Sequence, residues 1–211
     1  MASSIMHVAI SESVLLEFPE IERNRFLLGA MFPDAAGPGN GHRKINVCNE
    51  TKKTYDLPGF RAQFAEQLKT DPLYLGYYLH LVQDLVFRNY VYKVHHWNPM
   101  PEGNRERLHN DYAITNSYII DRYGLSPDLV LPEGIEAEPL FAEERFDLSG
   151  FLQNYRAYFG QKVSGDIFFF TREMADECIA MCLEKCIAEV NALRAGAGYI
   201  DEIEYAWDRP V

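Results

Sequence analysis

The 211-residue chain is 47% hydrophobic and 13% aromatic, which suits one folded domain with a sizeable core and excludes a disordered protein. Its formal net charge of −11 does not favour a nucleic-acid partner held by lysine and arginine alone, although bound divalent cations can reverse a local field. No run approaches the ~18 apolar residues of a membrane span, and the first residues, MASSIMHVAISESVLLEF, lack the basic start and unbroken apolar stretch of a secretory signal.

Taken in order, the chain reads as helical almost throughout. A first helix is expected over residues 4–17 with Ser3 or Ser4 as N-cap, and a second over 20–31 opened by Pro19. FPDAAGPGNG then stops it, because Pro and Gly both end helices. Residues 35–56 read as a long polar loop that is locally basic, with His42, Arg43, Lys44, Lys52 and Lys53. Such a loop is either a solvated connection or a flap facing an anion. A third helix follows Pro58, a fourth covers 72–93, and a fifth begins at Asn104 and closes at Gly124 in the C′ role. Residues 125–146 are acidic and proline-rich, hence a loop; two more helices are expected over 148–161 and 171–195. Strand-like alternation is confined to VSGDIFFF. The expected fold is therefore an all-α, multi-helix bundle forming a single domain over residues 1–211.

Four cysteines, Cys48, Cys178, Cys182 and Cys186, bear on the compartment. The last three share one helical stripe and cannot easily pair, which suits a thiol-reduced, cytoplasmic protein. They read as small core hydrophobes, with a redox or metal role as the alternative.

The stretch GYYLHLVQDL, residues 76–85, is more informative. His80 and Asp84 lie four apart on an otherwise apolar helix, so both project from one face. A carboxylate buried there costs several kcal/mol unless it is paired. A histidine–aspartate hydrogen bond would suffice, but so would a shared cation. His7 in an amphipathic first helix, Asp34 at the end of the second and His42 in the basic loop each have plain readings as core, turn and surface residues. Together the five supply three imidazoles and two carboxylates, a ligand set suited to zinc and similar ions.

The order of His7, FLLGAMFPDA at 26–35, His42 and LYLGYYLHLVQDLVF at 73–87 resembles the zinc-dependent phospholipase C family, to which fungal single-strand nucleases are related. The phrases GA-x-x-PD and GY-x-x-H-x-x-x-D carry the resemblance, which runs from residue 5 to about 125. Residues 126–211 hold the C-terminal helices and tail and resemble nothing specific. The resemblance implies a helical fold with a metal-binding cleft. It implies that Asp34, His42, His80 and Asp84 surround one ion and that His7 holds a second with Asp84 bridging.

The family's His-x-x-x-Glu pair for a third ion does not occur, so one or two zinc ions are expected rather than three. Asp111 and His109, in HNDY, are the candidates for an additional site. Asp34 is the expected catalytic residue, orienting or deprotonating an attacking water. Arg43 and Lys44 are candidates for holding phosphate by charge and position. The expected activity is phosphodiester hydrolysis through a metal-bound hydroxide, on a small phosphoester or a phospholipid headgroup. The rival expectation is a non-catalytic helical metal-binding or interaction protein with a degenerate site.

Overall fold

A computed structural model describes residues 2–36 and 41–208. It is mostly helical, as the periodicity predicts. Helix α1 (Ser4–Glu17) starts at Ser3, whose hydroxyl accepts the Met6 amide at 3.3 Å. Helix α2 spans Arg23–Ala35. Its N-cap is Glu22, whose carboxylate accepts the Asn24 and Arg25 amides, so Pro19 does not open it. Two short helices follow, α3 (Leu57–Gln63) and α4 (Gln67–Thr70).

Helix α5 (Pro72–Arg88) combines an Asp71 N-cap with proline at its first position. Fourteen of its seventeen residues are buried, which marks it as the central helix. It continues as a π-helical turn over Asn89–Val94. Helix α6 (Asn104–Tyr123) ends at Gly124 in the left-handed conformation. After α7 (Leu140–Glu143) and α8 (Leu148–Tyr158), α9 (Arg172–Arg194) starts at the Thr171 cap.

One continuous core joins α1, α2, α5, α6 and α9, and α5 packs most extensively on α2. Two glycines allow that contact. A Cβ on Gly29 would lie 2.0 Å from the Leu73 carbonyl oxygen, and one on Gly76 would lie 2.0 Å from that of Phe26. The two backbones therefore touch where any side chain would hold them apart.

Two expectations are corrected. The stretch read as a loop over 35–56 contains a hairpin, β1 (Lys44–Val47) with β2 (Lys52–Tyr55), paired antiparallel. Its turn is made by Cys48, Asn49 and Glu50, all at positive φ. Residues 37–40 of that expected loop lie outside the described residues. The tail returns as β3 (Trp207–Asp208) alongside β2, giving the order β1-β2-β3. VSGDIFFF, in contrast, forms no strand. The amides of Phe168, Phe169 and Phe170 instead donate to the Asp111 carboxylate at 2.7–2.9 Å.

The three stripe cysteines are buried in α9, as core residues would be, and Cys48 is exposed. Burial pushes the Cys186 thiol up to about 12, which removes thiolate character at neutral pH. No described helix is long and apolar enough to cross a membrane.

Candidate metal centre

Asp34 is still helical, in the last turn of α2 just after Pro33, rather than in a loop. His42 directly precedes the hairpin, His7 sits in the first turns of α1, and His80 and Asp84 lie one turn apart in α5. The close crossing at Gly29 and Gly76 brings α2 and α5 near enough for these side chains to meet.

They do meet. His80 Nε2 is 3.2 Å from His42 Nε2 and 3.9 Å from both Asp34 Oδ1 and Asp84 Oδ2. His42 Nε2 is 3.3 Å from Asp34 Oδ1 and 3.4 Å from Asp84 Oδ2. His7 Nε2 is 3.5 Å from Asp84 Oδ1, and its ring stacks on His80 with centroids 3.8 Å apart. Two triads have donor atoms near enough to share an ion: His7, His80 and Asp84, and Asp34, His42 and His80.

Tautomers follow from the outer contacts. His80 Nδ1 is 2.7 Å from the Ala30 carbonyl, which only accepts, so Nδ1 carries the hydrogen and Nε2 presents its lone pair to the cluster. His7 Nδ1 is 2.7 Å from Gln83 Oε1, while the Gln83 amide nitrogen donates to Ser11 Oγ at 3.3 Å. That arrangement turns His7 Nε2 inward, where it is buried without a hydrogen-bond partner among the described residues. A carbonyl or amide oxygen on the outer nitrogen of a histidine is the usual support of a metal ligand.

The inward distances are also informative. Every histidine–carboxylate contact is 3.3–3.9 Å, beyond the ~2.7–3.2 Å of an N–H···O bond. Ligands ~2.0–2.2 Å from a tetrahedral ion stand about 3.3–3.6 Å from one another. The spacing thus fits atoms arranged around a common centre better than atoms bonded to each other.

Charge points the same way. Burial resists ionisation of Asp84, but His7 first, with the charge of the amino terminus and then His80 adding to it, holds its carboxyl well below the usual carboxylate range. Burial resists ionisation of Asp34 likewise, yet His80, His42 and His7 outweigh it and lower its pKa. Burial also disfavours protonated His7, but the adjacent Asp84 and the charge of Asp34 raise its pKa. His80 is driven down to about 3, by burial first and by His7 second. Two ionised carboxylates thus stand beside an imidazole that stays neutral, a setting that favours a cation.

The backbone amide of Ala2 donates to Asp84 Oδ1 at 3.1 Å, and the Tyr55 hydroxyl donates to Oδ2 at 3.2 Å. Together these contacts fix the carboxylate's orientation. The sequence reading missed Tyr55, because the hairpin that carries it was read as loop. It also missed Gln83, although Gln83 is the third polar residue of the same apolar run.

Other expected residues lie elsewhere. The Asp111 carboxylate is saturated by the three phenylalanine amides, and exposed His109 stacks on Tyr112. Among the described residues neither joins a group able to hold an ion, so the additional site is withdrawn. The Arg43 guanidinium turns to α3, donating to Gln63 Oε1 at 2.7 Å and lying over the Phe60 and Phe64 rings. Lys44 is exposed on β1. A surface cavity of about 850 Å³, lined by Ile21, Leu68, Leu75 and Leu193 among others, does not include the cluster.

Comparison of the chain with protein-family models, curated proteins and solved structures found no match.

Proposed function

We propose that this chain is a metal-dependent phosphoester hydrolase, a phosphodiesterase of the zinc-dependent phospholipase C type. The observation that carries the reading is the convergence of His7, Asp34, His42, His80 and Asp84, with the buried His7 Nε2 left without a hydrogen-bond partner among the described residues. Three imidazole nitrogens with carboxylate oxygens suit zinc. His80 has a single lone pair to give, since its Nδ1 is bonded to Ala30. Asp34, His42, His80 and Asp84 Oδ2 would therefore hold one ion, and His7 with Asp84 Oδ1 a second.

The chemistry a divalent ion would supply, if held there, is acidification of water and withdrawal of charge from a phosphoryl oxygen. Asp34 is the residue placed to take a proton from the attacking water, being ionised and partly open to solvent. Its side chain is 14% exposed and that of His42 is 9%, whereas His7, His80 and Asp84 are at zero. A small phosphodiester or a phospholipid headgroup would therefore approach along the Asp34–His42 side.

The same closure favours a second reading, in which the ion is structural and the protein does not catalyse. Zinc-loaded protein should hydrolyse bis-p-nitrophenyl phosphate and lose that activity on chelation, and His80→Ala and Asp84→Ala should lose both zinc and turnover. Folded, zinc-binding protein without hydrolysis would support the structural centre. Folded protein that takes up no metal would overturn both readings.

A further inference from the structure

Arg88 follows Asp84 by four residues, so His80, Asp84 and Arg88 occupy successive turns on one face of α5. Its guanidinium lies over two rings, with Cζ 4.0 Å from the centroid of Trp207 and 5.2 Å from that of Tyr92. Trp207 also packs on Tyr55, with centroids 5.2 Å apart, and Tyr55 bonds Asp84. The tail strand and the π-helical turn after α5 therefore both lie on this cation beside the cluster.

Stacking engages the faces of a guanidinium and leaves its N–H fork, which lies in the plane, available. In Arg88 the fork has no partner among the described residues. No hydrogen bond or ion pair to Arg88 occurs among the described residues, and its Nε is buried. A buried Nε left without a partner among the described residues is costly, and it is unexpected in a chain with 31 acidic residues. The neighbouring Tyr112 hydroxyl is also buried without a partner among the described residues. Asp84, Arg88 and Arg105 all influence Tyr92, whose pKa is raised first by burial. A concentration of unused donors next to Asp84 is the arrangement expected around an oxyanion.

We propose that Arg88 binds the peripheral oxygens of a phosphoryl group held at the His7–Asp34–His42–His80–Asp84 cluster, the Trp207 and Tyr92 rings presenting its N–H fork. This rests on the hydrolase reading for the identity of the anion, but it concerns binding and can be tested without turnover. It moves the anion contact from Arg43 and Lys44, before and within β1, to the end of α5.

The test is calorimetric titration of zinc-loaded protein with inorganic phosphate and with glycerol phosphate, using wild type, Arg88→Met and Arg88→Lys. Methionine keeps an apolar stem against Trp207, so folding is checked by an unchanged melting profile and zinc content. A charge-assisted fork should be worth about tenfold or more in affinity. Arg88→Met is therefore expected to bind at least tenfold more weakly, with Arg88→Lys recovering only part of the loss. Tighter binding of glycerol phosphate would assign the esterified group as ligand, and equal binding the bare oxyanion.

Unchanged phosphate affinity in Arg88→Met, or no phosphate binding by wild type, overturns the assignment. Arg88-dependent phosphate binding without hydrolysis of the diester would leave this site standing and remove the hydrolase. Hydrolysis with an indifferent Arg88 would do the reverse.

Discussion

At Asp84 the chain accepts a charge in its most enclosed helix, and the surrounding residues account for how. The Ala2 amide and Tyr55 hydroxyl each take one of its oxygens, while His7 and His80 face it without hydrogen-bond geometry. The outer nitrogens of both histidines are fixed by neutral acceptors, the Ala30 carbonyl and Gln83 Oε1. Gln83 is thus a positioning residue, and Gln83→Leu is the informative change. It removes the acceptor, frees the His7 tautomer and leaves side-chain volume almost constant. Zinc affinity is expected to fall about 10–100-fold, measured by competition with a chromophoric chelator; an unaltered constant would show that His7 needs no such support. His80 and Asp84 were legible because an ionisable group in an apolar run is costly enough to demand explanation, whereas His7, Asp34 and His42 stood out only as a joint ligand set and through the resemblance in their order. Gln83 carries no charge and draws less notice, and nothing in the spacing of Ala30 announces that its carbonyl is used.

Among the elements, α2 and α5 carry the geometry, and the glycines within GAMFPD and GYYLHLVQD have a physical reason to be there. Gly29 and Gly76 sit at the crossing, and each would drive a methyl group into the opposing backbone. Backbone cannot rotate aside as a side chain can, so Gly29→Ala or Gly76→Ala must separate the helices. Overpacking of this kind costs about 1–3 kcal/mol, occasionally more. The same separation should pull Asp34 from His80, so both variants are expected to lose stability to urea and zinc affinity together. Full zinc binding in a destabilised Gly76→Ala protein would uncouple the crossing from the cluster. The helices themselves were readable from periodicity and from end signals such as Ser3 and Gly124. The hairpin was not: KINVCNETKKTY is rich in lysine, and its turn uses Cys48, Asn49 and Glu50 at positive φ rather than a glycine. Pro33 was read as a stop, yet α2 runs two residues past it. The third strand could not be foreseen, because the pairing of Trp207 with Lys53 is set by tertiary docking.

For the whole molecule, the cluster ties together parts of the chain that an unfolded polymer keeps apart. His7 enters from α1, Asp34 from α2, His42 from the approach to the hairpin, and His80 with Asp84 from α5. Only the folded chain presents these groups together, so an ion held by them stabilises the native state by mass action. At free zinc a hundredfold above its dissociation constant the gain is about 2.7 kcal/mol. In a domain of this size 1 kcal/mol moves the melting temperature by about 2–4 °C. Stripping zinc with a chelator should therefore lower melting by about 5–10 °C, and restoring zinc should recover it. The effect should vanish in Asp84→Asn, which keeps the shape but reduces the charge and gives up a carboxylate ligand. A bystander ion on the acidic surface would give a smaller shift that salt screens and that survives Asp84→Asn. If calorimetry shows identical melting with and without zinc, the inward-facing donors are satisfied by protons alone, and the cluster is a buried hydrogen-bonding network rather than a metal centre.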